Sequence, residues 1–310
     1  EDTALTRDSD VLDTWFSSGL WPFATVGWPN DTPDYKQFYP ATCLETGYDI
    51  LFFWVARMVM MGLEFTDEVP FDTIYMHGLV RDEKNEKMSK TKGNVVDPLD
   101  VVDEYGADAL RFSLVTGVTP GQDVPLSMER VKVNRNFCNK LWNAARFLEP
   151  KMVSSSGGVI DQQELSEMPL FERYIISEAH ACAEASAAAL EDYSIGDAGT
   201  RAYRFFYDEF ADWYVEVSKT RSEEDQEASQ RALSYSFEVC LKLLHPFVPH
   251  VTEYLWQKLF NADGADKALM TEAYPSIEGT TLAQDADAVA LFNDWKELVR
   301  AMRNIRAEYN

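Results

Sequence analysis

The chain has 310 residues and a mass of 35.3 kDa; 46% of its residues are hydrophobic and 26% are charged. This length predicts about two domains, and this composition excludes a wholly disordered chain. Only 28 basic residues stand against 52 acidic ones, a formal net charge of −24. Such a charge argues against a general nucleic-acid binder, whose surface is usually basic.

The cysteines and the apolar segments indicate where the protein acts. The four cysteines form no CxxC pair, which favours reduced thiols over disulfides or a cysteine-rich zinc site. The most apolar stretch, 50–63, has only 14 residues and contains Arg57, whereas a membrane-spanning helix needs about 20. We therefore expect a cytoplasmic protein with no membrane partner and no protein-bound zinc.

The first part of the chain mixes strand and helix signals. The apolar segment 73–80 (TIYMHGLV) predicts a buried strand, and it leads into a polar loop at 81–93. Asp97-Pro98 then predicts a helix start, with Asp as the N-cap and Pro in the first turn. Strand, loop and helix in this order are typical of an α/β fold.

From residue 130 onward, apolar residues recur at helical spacing. In the first of these helices they are Val133, Phe137, Leu141, Ala144 and Leu148. Further amphipathic segments follow up to residue 310 and predict an antiparallel bundle. The last segment, from about 287, has no terminating signal, and we expect the natural chain to continue beyond it.

These patterns predict three regions. Residues 1–129 form an α/β part, residues 130–152 a connecting basic helix, and residues 153–310 a helical bundle. The run of small residues at 153–158 predicts a flexible linker at the start of the bundle.

The most distinctive local feature is a lysine-rich loop at 84–92, with four lysines and one acidic residue. Its centre reads Lys87-Met88-Ser89-Lys90-Thr91. The loop follows the carboxyl end of the predicted strand, where open α/β sheets bind nucleotides, and lysine ammonium groups suit phosphate oxygens. The loop is therefore either a solvated hairpin tip or a phosphate-binding loop.

This segment resembles the KMSKS signature loop of the class I aminoacyl-tRNA synthetases, here KMSKT. His77-Gly78 before the loop and Gly93-Asn94 after it agree with the family pattern. Segment 10–18 (DVLDTWFSS) resembles the one by which the large class I enzymes re-enter the catalytic domain after their editing insertion. Three further segments resemble the valyl branch of the family: 46–54 (TGYDILFFW), 134–143 (NRNFCNKLWN) and 244–250 (LHPFVPH). The isoleucyl branch would be expected to have Gln after Asp49 and an Arg-Gly before Trp54, where this chain has Ile50 and Phe52-Phe53.

The resemblance covers nearly all 310 residues, but the family's other signature, His-x-Gly-His, does not occur in this chain. The first catalytic half, the editing domain and the C-terminal coiled coil of the family are therefore expected to lie outside it. The resemblance implies an α/β plus all-α fold. In that fold, the second part of a Rossmann-like class I synthetase catalytic domain precedes an antiparallel helical anticodon-binding bundle.

The same resemblance implies a function for the parent enzyme. It would activate valine with ATP, supplied with Mg²⁺ as substrate, and would transfer the valyl group from valyl-adenylate to tRNA(Val). This chain would supply the KMSKS-type loop and the anticodon-binding bundle, would be monomeric and would be inactive alone. The alternative is a stand-alone tRNA- or protein-binding module derived from a synthetase.

The resemblance also assigns residues to the adenylate site. Lys90, and with it Lys87, would stabilise the β- and γ-phosphates as pyrophosphate leaves, with Met88 and Ser89 completing the ATP-binding loop.

Three residues would contact adenosine. Gly47 would let the backbone approach the ligand, Asp49 would accept hydrogen bonds from the ribose, and His77 would contact the nucleotide. Asp49 is alternatively a helix cap, and His77 a satisfied strand-end histidine.

Trp15 and Trp54 would line the valine pocket; each is otherwise a core residue.

Two basic helix faces are candidates for tRNA contact, or else are simply solvated. The first comprises Lys132, Arg135, Lys140 and Arg146; the second comprises Lys296, Arg300, Arg303 and Arg306. Aromatic residues at 205–214 could include a base-stacking platform, although most are expected in the bundle core. Because residues 152–310 hold 13 basic and 28 acidic residues, RNA binding there requires a local concentration of bases.

Overall fold

The computed structural model describes residues 6–152, 158–261, 267–275 and 283–309. The predicted linker lies outside these residues, except for Gly158. The chain divides into two compact units, Glu1–Arg81 with Pro120–Val124 and Asp82–Thr119 with Pro125–Asn310.

The first unit contains a two-stranded parallel sheet. Strand β1 (Ala41–Gly47) pairs with β2 (Phe71–His77), so that Gly47 lies opposite His77. Helices α1 (Thr14–Gly19), α2 (Trp21–Ala24) and α3 (Pro33–Phe38) precede the sheet. The crossover between the strands consists of a 3₁₀ turn (Tyr48–Ile50), a π-helical turn (Leu51–Val55) and helix α4 (Ala56–Thr66). Val55, Met58 and Phe71 form the buried core of this unit.

The strand predicted at 73–80 is observed at 71–77, and it is less buried than predicted. Phe71 is buried, but Ile74 is exposed. Strand β2 has only β1 as a neighbour among the described residues, so its other edge lacks the cover that a central strand receives. The chain then continues through the short strand β3 (Val80–Arg81), which pairs with β4 (Val124–Pro125).

The second unit begins with the lysine loop and helices α5 (Pro98–Tyr105), α6 (Ala107–Val115) and α7 (Met128–Leu148). The predicted helix start is confirmed, because the Asp97 side chain accepts a hydrogen bond from the backbone N–H of Leu99. Gly106 has a φ of +90° between α5 and α6, a conformation that favours glycine.

Helix α7 is observed where it was predicted, but its buried face is rotated from the predicted one. Val133 is 55% exposed, and the buried positions are Val131, Asn134, Phe137, Leu141, Ala145 and Leu148. Because Asn134 is polar, the sequence pattern did not identify it as part of the buried face of α7. It is buried because its amide donates to the Ser113 hydroxyl at 2.7 Å.

The remaining helices form the predicted bundle around one buried core. They are α8 (Gln162–Glu167), α9 (Leu170–Glu191), α10 (Ile195–Arg204), a π-helical segment (Phe205–Tyr214), α11 (Val215–Ser218), α12 (Gln226–Leu244), α13 (Pro249–Leu259) and α14 (Ala286–Glu308). The apolar stripe of α12 is confirmed, since Leu233, Phe237, Leu241 and Leu244 are all buried.

Helix α6 is tied to the bundle by two polar contacts. The buried Asp108 carboxylate accepts hydrogen bonds from the backbone N–H groups of His250 and Val251, at 3.1 and 2.8 Å, and so caps the N-terminus of α13. Arg111 donates to the carbonyl of Pro246 at 3.1 Å. The segment that follows the lysine loop is thus bonded directly to the bundle.

A buried histidine of the bundle has hydrogen-bond partners at both ring nitrogens. His180 Nδ1 donates to the carbonyl of Ala283, and Nε2 accepts from the Tyr235 hydroxyl, both at 2.6 Å. This arrangement uses the neutral ring, and burial lowers the pKa of His180 below its usual 6.5.

We expect this histidine to destabilise the protein on acidification. Below pH 6.5 the unfolded chain binds a proton that the folded chain does not, so the free energy of unfolding should fall by up to about 1.4 kcal/mol per pH unit. Urea unfolding between pH 7.5 and 5.5 measures the slope. His180→Gln should flatten it, whereas Tyr235→Phe, which keeps the imidazole, should not; equal slopes in all three proteins would contradict the assignment.

All four cysteines are free. Cys43 is exposed on β1, whereas burial raises the pKa of Cys138 to about 12 and that of Cys182 to about 11; Cys240 is fully buried. Within the described ranges, no helix is long and apolar enough to cross a membrane.

Candidate nucleotide site and RNA-facing surfaces

The lysine loop presents its two motif lysines to solvent. Lys87 and Lys90 are exposed, and neither has an ion-pair partner among the described residues. Met88 points the other way and packs against the small core formed by Val101, Ala109, Leu110, Leu126 and Val131. The sequence assigned Met88 to ATP binding, but in the structure its contacts are with this core. Within the motif, Met88 thus fixes the loop to the core, while Lys87 and Lys90 extend their charged groups into solvent.

The rest of the loop is held by its own polar groups. The Ser89 hydroxyl accepts a hydrogen bond from the backbone N–H of Lys92 at 3.2 Å. The Lys92 ammonium pairs with Glu86 at 3.3 Å, so this lysine is partly neutralised. The base of the loop borders a cleft of about 520 Å³ lined by Asp82, Glu83, Lys84, Glu86, Lys92 and Asn94.

In the first unit, the carboxyl ends of both parallel strands bring together Gly47, Asp49 and His77. A Cβ placed on Gly47 would lie 2.8 Å from Asp49 Oδ1, the movable end of a side chain, and 3.5 Å from His77 Cε1, so glycine leaves room for their close approach. Asp49 is exposed in the 3₁₀ turn, and no side chain caps either short helix around it. The alternative that Asp49 serves as a helix cap is therefore wrong.

His77 is partly engaged by its surroundings. Its Nδ1 donates to the carbonyl of Gly78 at 2.8 Å, and its Nε2 lies 3.2 Å from Glu45 Oε1. Both ring nitrogens thus have partners, as the alternative of a satisfied strand-end histidine predicts, while the side chain remains about half exposed.

The glycine after His77 is fixed by packing. A Cβ on Gly78 would lie 1.8 Å from the backbone oxygen of Gln122, a contact that no side chain permits. Next to it, the Asp123 carboxylate accepts from the N–H of Leu79 at 2.8 Å and binds the Arg81 guanidinium. These hydrogen bonds lower the pKa of Asp123. Sequence reasoning missed Asp123, because no local pattern marks its contact with a strand more than forty residues earlier.

The two predicted pocket tryptophans are both partly exposed. Trp54 donates from Nε1 to the carbonyl of Ser18 at 2.9 Å, which ties the π-helical turn to α1. Trp15 lies 6.4 Å from the Phe53 ring, and the Arg57 guanidinium lies 4.8 Å above the Trp15 ring. Trp54 also packs against the core of Val55, Met58 and Phe71, as the alternative of a core residue predicts.

The first basic face has three free residues and one tethered residue. Lys132, Arg135 and Arg146 are exposed on α7. Lys140 instead pairs with Asp212 at 2.6 Å and lies 3.1 Å above the ring of Tyr207. This lysine therefore serves first to join α7 to the π-helical segment.

The second basic face must be corrected at its first residue. Lys296 is only 5% exposed, and its ammonium group bonds Glu209 at 2.6 Å and the Tyr174 hydroxyl at 3.1 Å. The regular spacing of bases on α14 predicted that Lys296 shares their exposed face, but Lys296 lies on the buried side of the helix and faces the bundle. It cannot contact RNA phosphates from there.

Arg300 and Arg303 remain exposed on that face and are held in place by an aromatic ring. Their guanidinium groups lie 5.7 and 5.3 Å from the centre of the Trp213 ring. As expected for most aromatic residues of 205–214, Phe205, Phe206, Phe210 and Tyr214 are buried in the bundle core. Trp213 is covered by the arginines and is also not free to stack on a base.

The predicted ATP, valine and RNA residues therefore occur in both units. The strand-end residues and both tryptophans lie in the first unit, and the lysine loop and the basic faces lie in the second. Among the residues that the structure describes, no group of three or more His, Cys, Asp or Glu side chains could hold a metal ion.

Comparisons with known families and proteins match both parts of the chain. The family model for class I tRNA synthetases (I, L, M and V) matches residues 1–127, and that for the anticodon-binding domain of tRNA ligase matches residues 172–310. A valine–tRNA ligase of Dehalococcoides mccartyi is 45% identical over 99% of the chain. The chloroplastic/mitochondrial valine–tRNA ligase 2 of Arabidopsis thaliana is 46% identical over all of it. The chain spans 35% and 33% of these two relatives, about a third of their length.

Solved structures show the same fold. The ternary complex of Agrobacterium radiobacter K84 agnB2 LeuRS with tRNA and LeuAMS matches 90% of this chain and 35% of its own, with a TM-score of 0.72 and 22% identity. Methionyl-tRNA synthetase of Mycobacterium tuberculosis, in complex with methionyl-adenylate, matches 83% of this chain and 53% of its own, with a TM-score of 0.59 and 23% identity. With a parallel strand pair, a KMSKT loop and a helical bundle in this order, the chain belongs to the class I aminoacyl-tRNA synthetases, in the family of the valine–tRNA ligases.

Proposed function

We propose that the protein containing this chain activates valine with ATP and transfers the valyl group to tRNA(Val). Residues 1–129 contribute the second part of the catalytic domain, residues 130–152 the connecting helix, and residues 153–310 the anticodon-binding bundle. The observation that carries the proposal is the KMSKT loop, whose two exposed lysines lack ion-pair partners among the described residues, in a chain 44–46% identical to valine–tRNA ligases.

The chemistry requires charge stabilisation more than proton transfer. The valine carboxylate attacks the α-phosphorus of ATP, a bond to the leaving pyrophosphate breaks, and negative charge grows on the β- and γ-phosphates. Lys90 and Lys87 neutralise that charge, which acts on the transition state more than on the ground state. Mg²⁺ enters with ATP as part of the substrate.

The strand-end residues bind the rest of the adenylate in this proposal. Gly47 brings the backbone close to the adenosine, Asp49 accepts from the ribose hydroxyls, and the exposed part of His77 contacts the nucleotide. Trp15 and Trp54 line the valine pocket. The proposal further places the enzyme in the cytoplasm as a monomer.

Amino-acid-dependent ATP–pyrophosphate exchange tests this function directly. The full-length protein should exchange with valine and far more weakly with leucine or methionine. The chain alone, which lacks the His-x-Gly-His signature, should give no exchange. Binding of tRNA(Val) by a full-length protein that shows no exchange would favour the alternative, a tRNA-binding module derived from a synthetase.

The bundle's contact with RNA rests on the exposed arginines of α14 and the free bases of α7. We propose that Arg300, Arg303, Lys132, Arg135 and Arg146 contact tRNA phosphates; Lys140, being held by Asp212, contributes less. Two guanidinium groups ordered over Trp213 lose little side-chain freedom on binding, which favours such contacts despite the acidic surroundings.

We expect Arg300→Ala and Arg303→Ala each to weaken tRNA(Val) binding and to reduce the slope of log affinity against log salt by about 1, because each removes one phosphate contact. Filter binding or fluorescence anisotropy at salt concentrations from about 50 to about 200 mM would measure the affinity and its salt slope. Lys258→Ala is the matched control, since it removes an exposed charge paired with Glu149 at 3.2 Å outside either face. If both arginine variants kept the salt slope of the unmodified protein, these α14 arginines would not contact tRNA phosphates.

A further inference from the structure

One pair of side chains closes the base of the lysine loop. Asp82 stands before the loop and Asn94 after it, and Asn94 Nδ2 donates to Asp82 Oδ2 at 2.8 Å. The other carboxylate oxygen of Asp82 accepts from the backbone N–H groups of Lys84 and Glu86, at 3.0 and 2.7 Å. We call these two residues, Asp82 and Asn94, the clasp.

The clasp also bonds the backbone of the KMSKT motif itself. Asn94 Oδ1 accepts from the N–H of Ser89 at 2.9 Å, and its Nδ2 also lies 3.3 Å from the carbonyl of Lys87. The bonded backbone groups therefore belong to Lys87, whose side chain is exposed, and to Ser89, the residue before Lys90. None of these bonds uses a lysine ammonium group.

The contacts divide the loop into fixed and free parts. Met88 is packed on the small core, the backbone at 87 and 89 is hydrogen-bonded to Asn94, and Lys87 and Lys90 extend into solvent. The Asn94 amide, with the N–H groups of Glu86 and Lys84, holds the pKa of the Asp82 carboxyl below its usual value. The carboxylate thus stays ionised and keeps accepting from Asn94 at neutral pH.

We infer that Asp82 and Asn94 are positioning residues, which fix the motif backbone so that Lys87 and Lys90 are directed at the triphosphate of ATP. The inference rests on the proposed function, because it assigns these lysines to ATP. A flexible loop would have to order in each turnover, and misplacing a charged donor by about 1 Å costs on the order of a hundredfold in rate. The clasp fixes the conformation within the motif, so that the loop presents both lysines together when it meets ATP.

The donor and acceptor of the clasp can be exchanged, which gives a test by rescue. Asn94→Asp places a second carboxylate against Asp82, and Asp82→Asn sets two amide groups against each other. In the double variant Asp82→Asn/Asn94→Asp, the new Asn donates to the new Asp, and the backbone N–H groups of Lys84, Glu86 and Ser89 again have oxygen acceptors. The long bond to the carbonyl of Lys87 is not restored, because a carboxylate at position 94 has no N–H to donate. Glu86→Gln is the control, since it removes the ion pair with Lys92 but leaves the clasp intact.

The test measures valine-dependent ATP–pyrophosphate exchange by the full-length protein. Each single variant should lower kcat at least tenfold with the KM for valine unchanged, while the double variant should return to within about threefold of the unmodified protein. Transfer of the valyl group from preformed valyl-adenylate to tRNA(Val) should be unaffected in all of them. If Asp82 and Asn94 only stabilised the fold, their replacement would slow this transfer step as well.

Trypsin cleavage after Lys87 and Lys90 gives a second readout that needs no activity. It should accelerate in both single variants and not in the double variant or in Glu86→Gln. If the single variants kept full exchange, the positioning role of Asp82 and Asn94 would be wrong, and the proposed function would be unaffected. Single variants and a double variant that are equally impaired would also overturn that role. Absence of valine-dependent exchange in the unmodified protein would overturn the proposed function and this inference together.

Discussion

Replacing Lys90 by alanine in the full-length protein is expected to slow valine-dependent ATP–pyrophosphate exchange by about 100- to 1,000-fold. Removing one well-placed donor to a developing charge has an effect of this size in other enzymes. The loss should fall on kcat, because the phosphates gain negative charge only as the bond to pyrophosphate breaks. The KM for valine should not change, since the valine pocket is assigned to Trp15 and Trp54.

Lys84→Ala is the matched control for this experiment. It removes the same charge from the same loop, and Lys84 lies outside the KMSKT motif. The control should retain exchange within a few-fold of the unmodified protein, because screening at physiological salt weakens the effect of a distant charge. If Lys84→Ala and Lys90→Ala lost equal activity, the loop would act through its total charge, and the specific role given to Lys90 would be wrong.

Replacing Lys296 by methionine is expected to lower the free energy of unfolding by about 3 kcal/mol. The ammonium group of Lys296 compensates the Glu209 carboxylate and bonds the Tyr174 hydroxyl inside the bundle, where only 5% of the lysine is exposed. Methionine fills a similar volume but leaves the half-buried Glu209 carboxylate without its cation, with the hydrogen bond from the Tyr174 hydroxyl still in place. Urea unfolding of the chain measures the loss.

Two further variants separate a structural role from an RNA contact at this position. Arg306→Met removes an exposed cation from the same helix and should change stability by no more than about 0.5 kcal/mol. Adding Glu209→Gln to Lys296→Met should recover part of the loss, because the uncompensated charge is removed. A stable Lys296→Met protein with a reduced salt slope for tRNA binding would instead return Lys296 to the interface.

The sequence was sufficient for the features that depend on local pattern. The helix start at Asp97-Pro98, the apolar stripe of α12 and the strand leading into the lysine loop all depend on residues close together in the chain. The motif Lys87–Thr91 was found in the same way, and its lysines are exposed in the structure. Such features need only spacing and the chemistry of one segment.

Features that depend on distant partners could not be predicted. The pattern of α7 could not show that Asn134 is buried, because its partner Ser113 lies on α6. The spacing of bases on α14 could not show that Lys296 faces Glu209, 87 residues earlier. Likewise, nothing near Asp123 or Asp108 in the sequence indicates the backbone groups that each of them binds. In these cases the tertiary partner, rather than the residue type, determines the role.

The four thiols differ in accessibility, so a dye can be attached to strand β1 without altering the sequence. Cys43 is the exposed thiol, while the raised pKa values of Cys138 and Cys182 leave little thiolate at neutral pH. A maleimide fluorophore should therefore attach at Cys43 first. The label would lie about 13 Å along β1 from Gly47, at a strand rise of about 3.3 Å per residue. Under the proposed function, ATP binding at the strand end should change the emission of a dye at that separation.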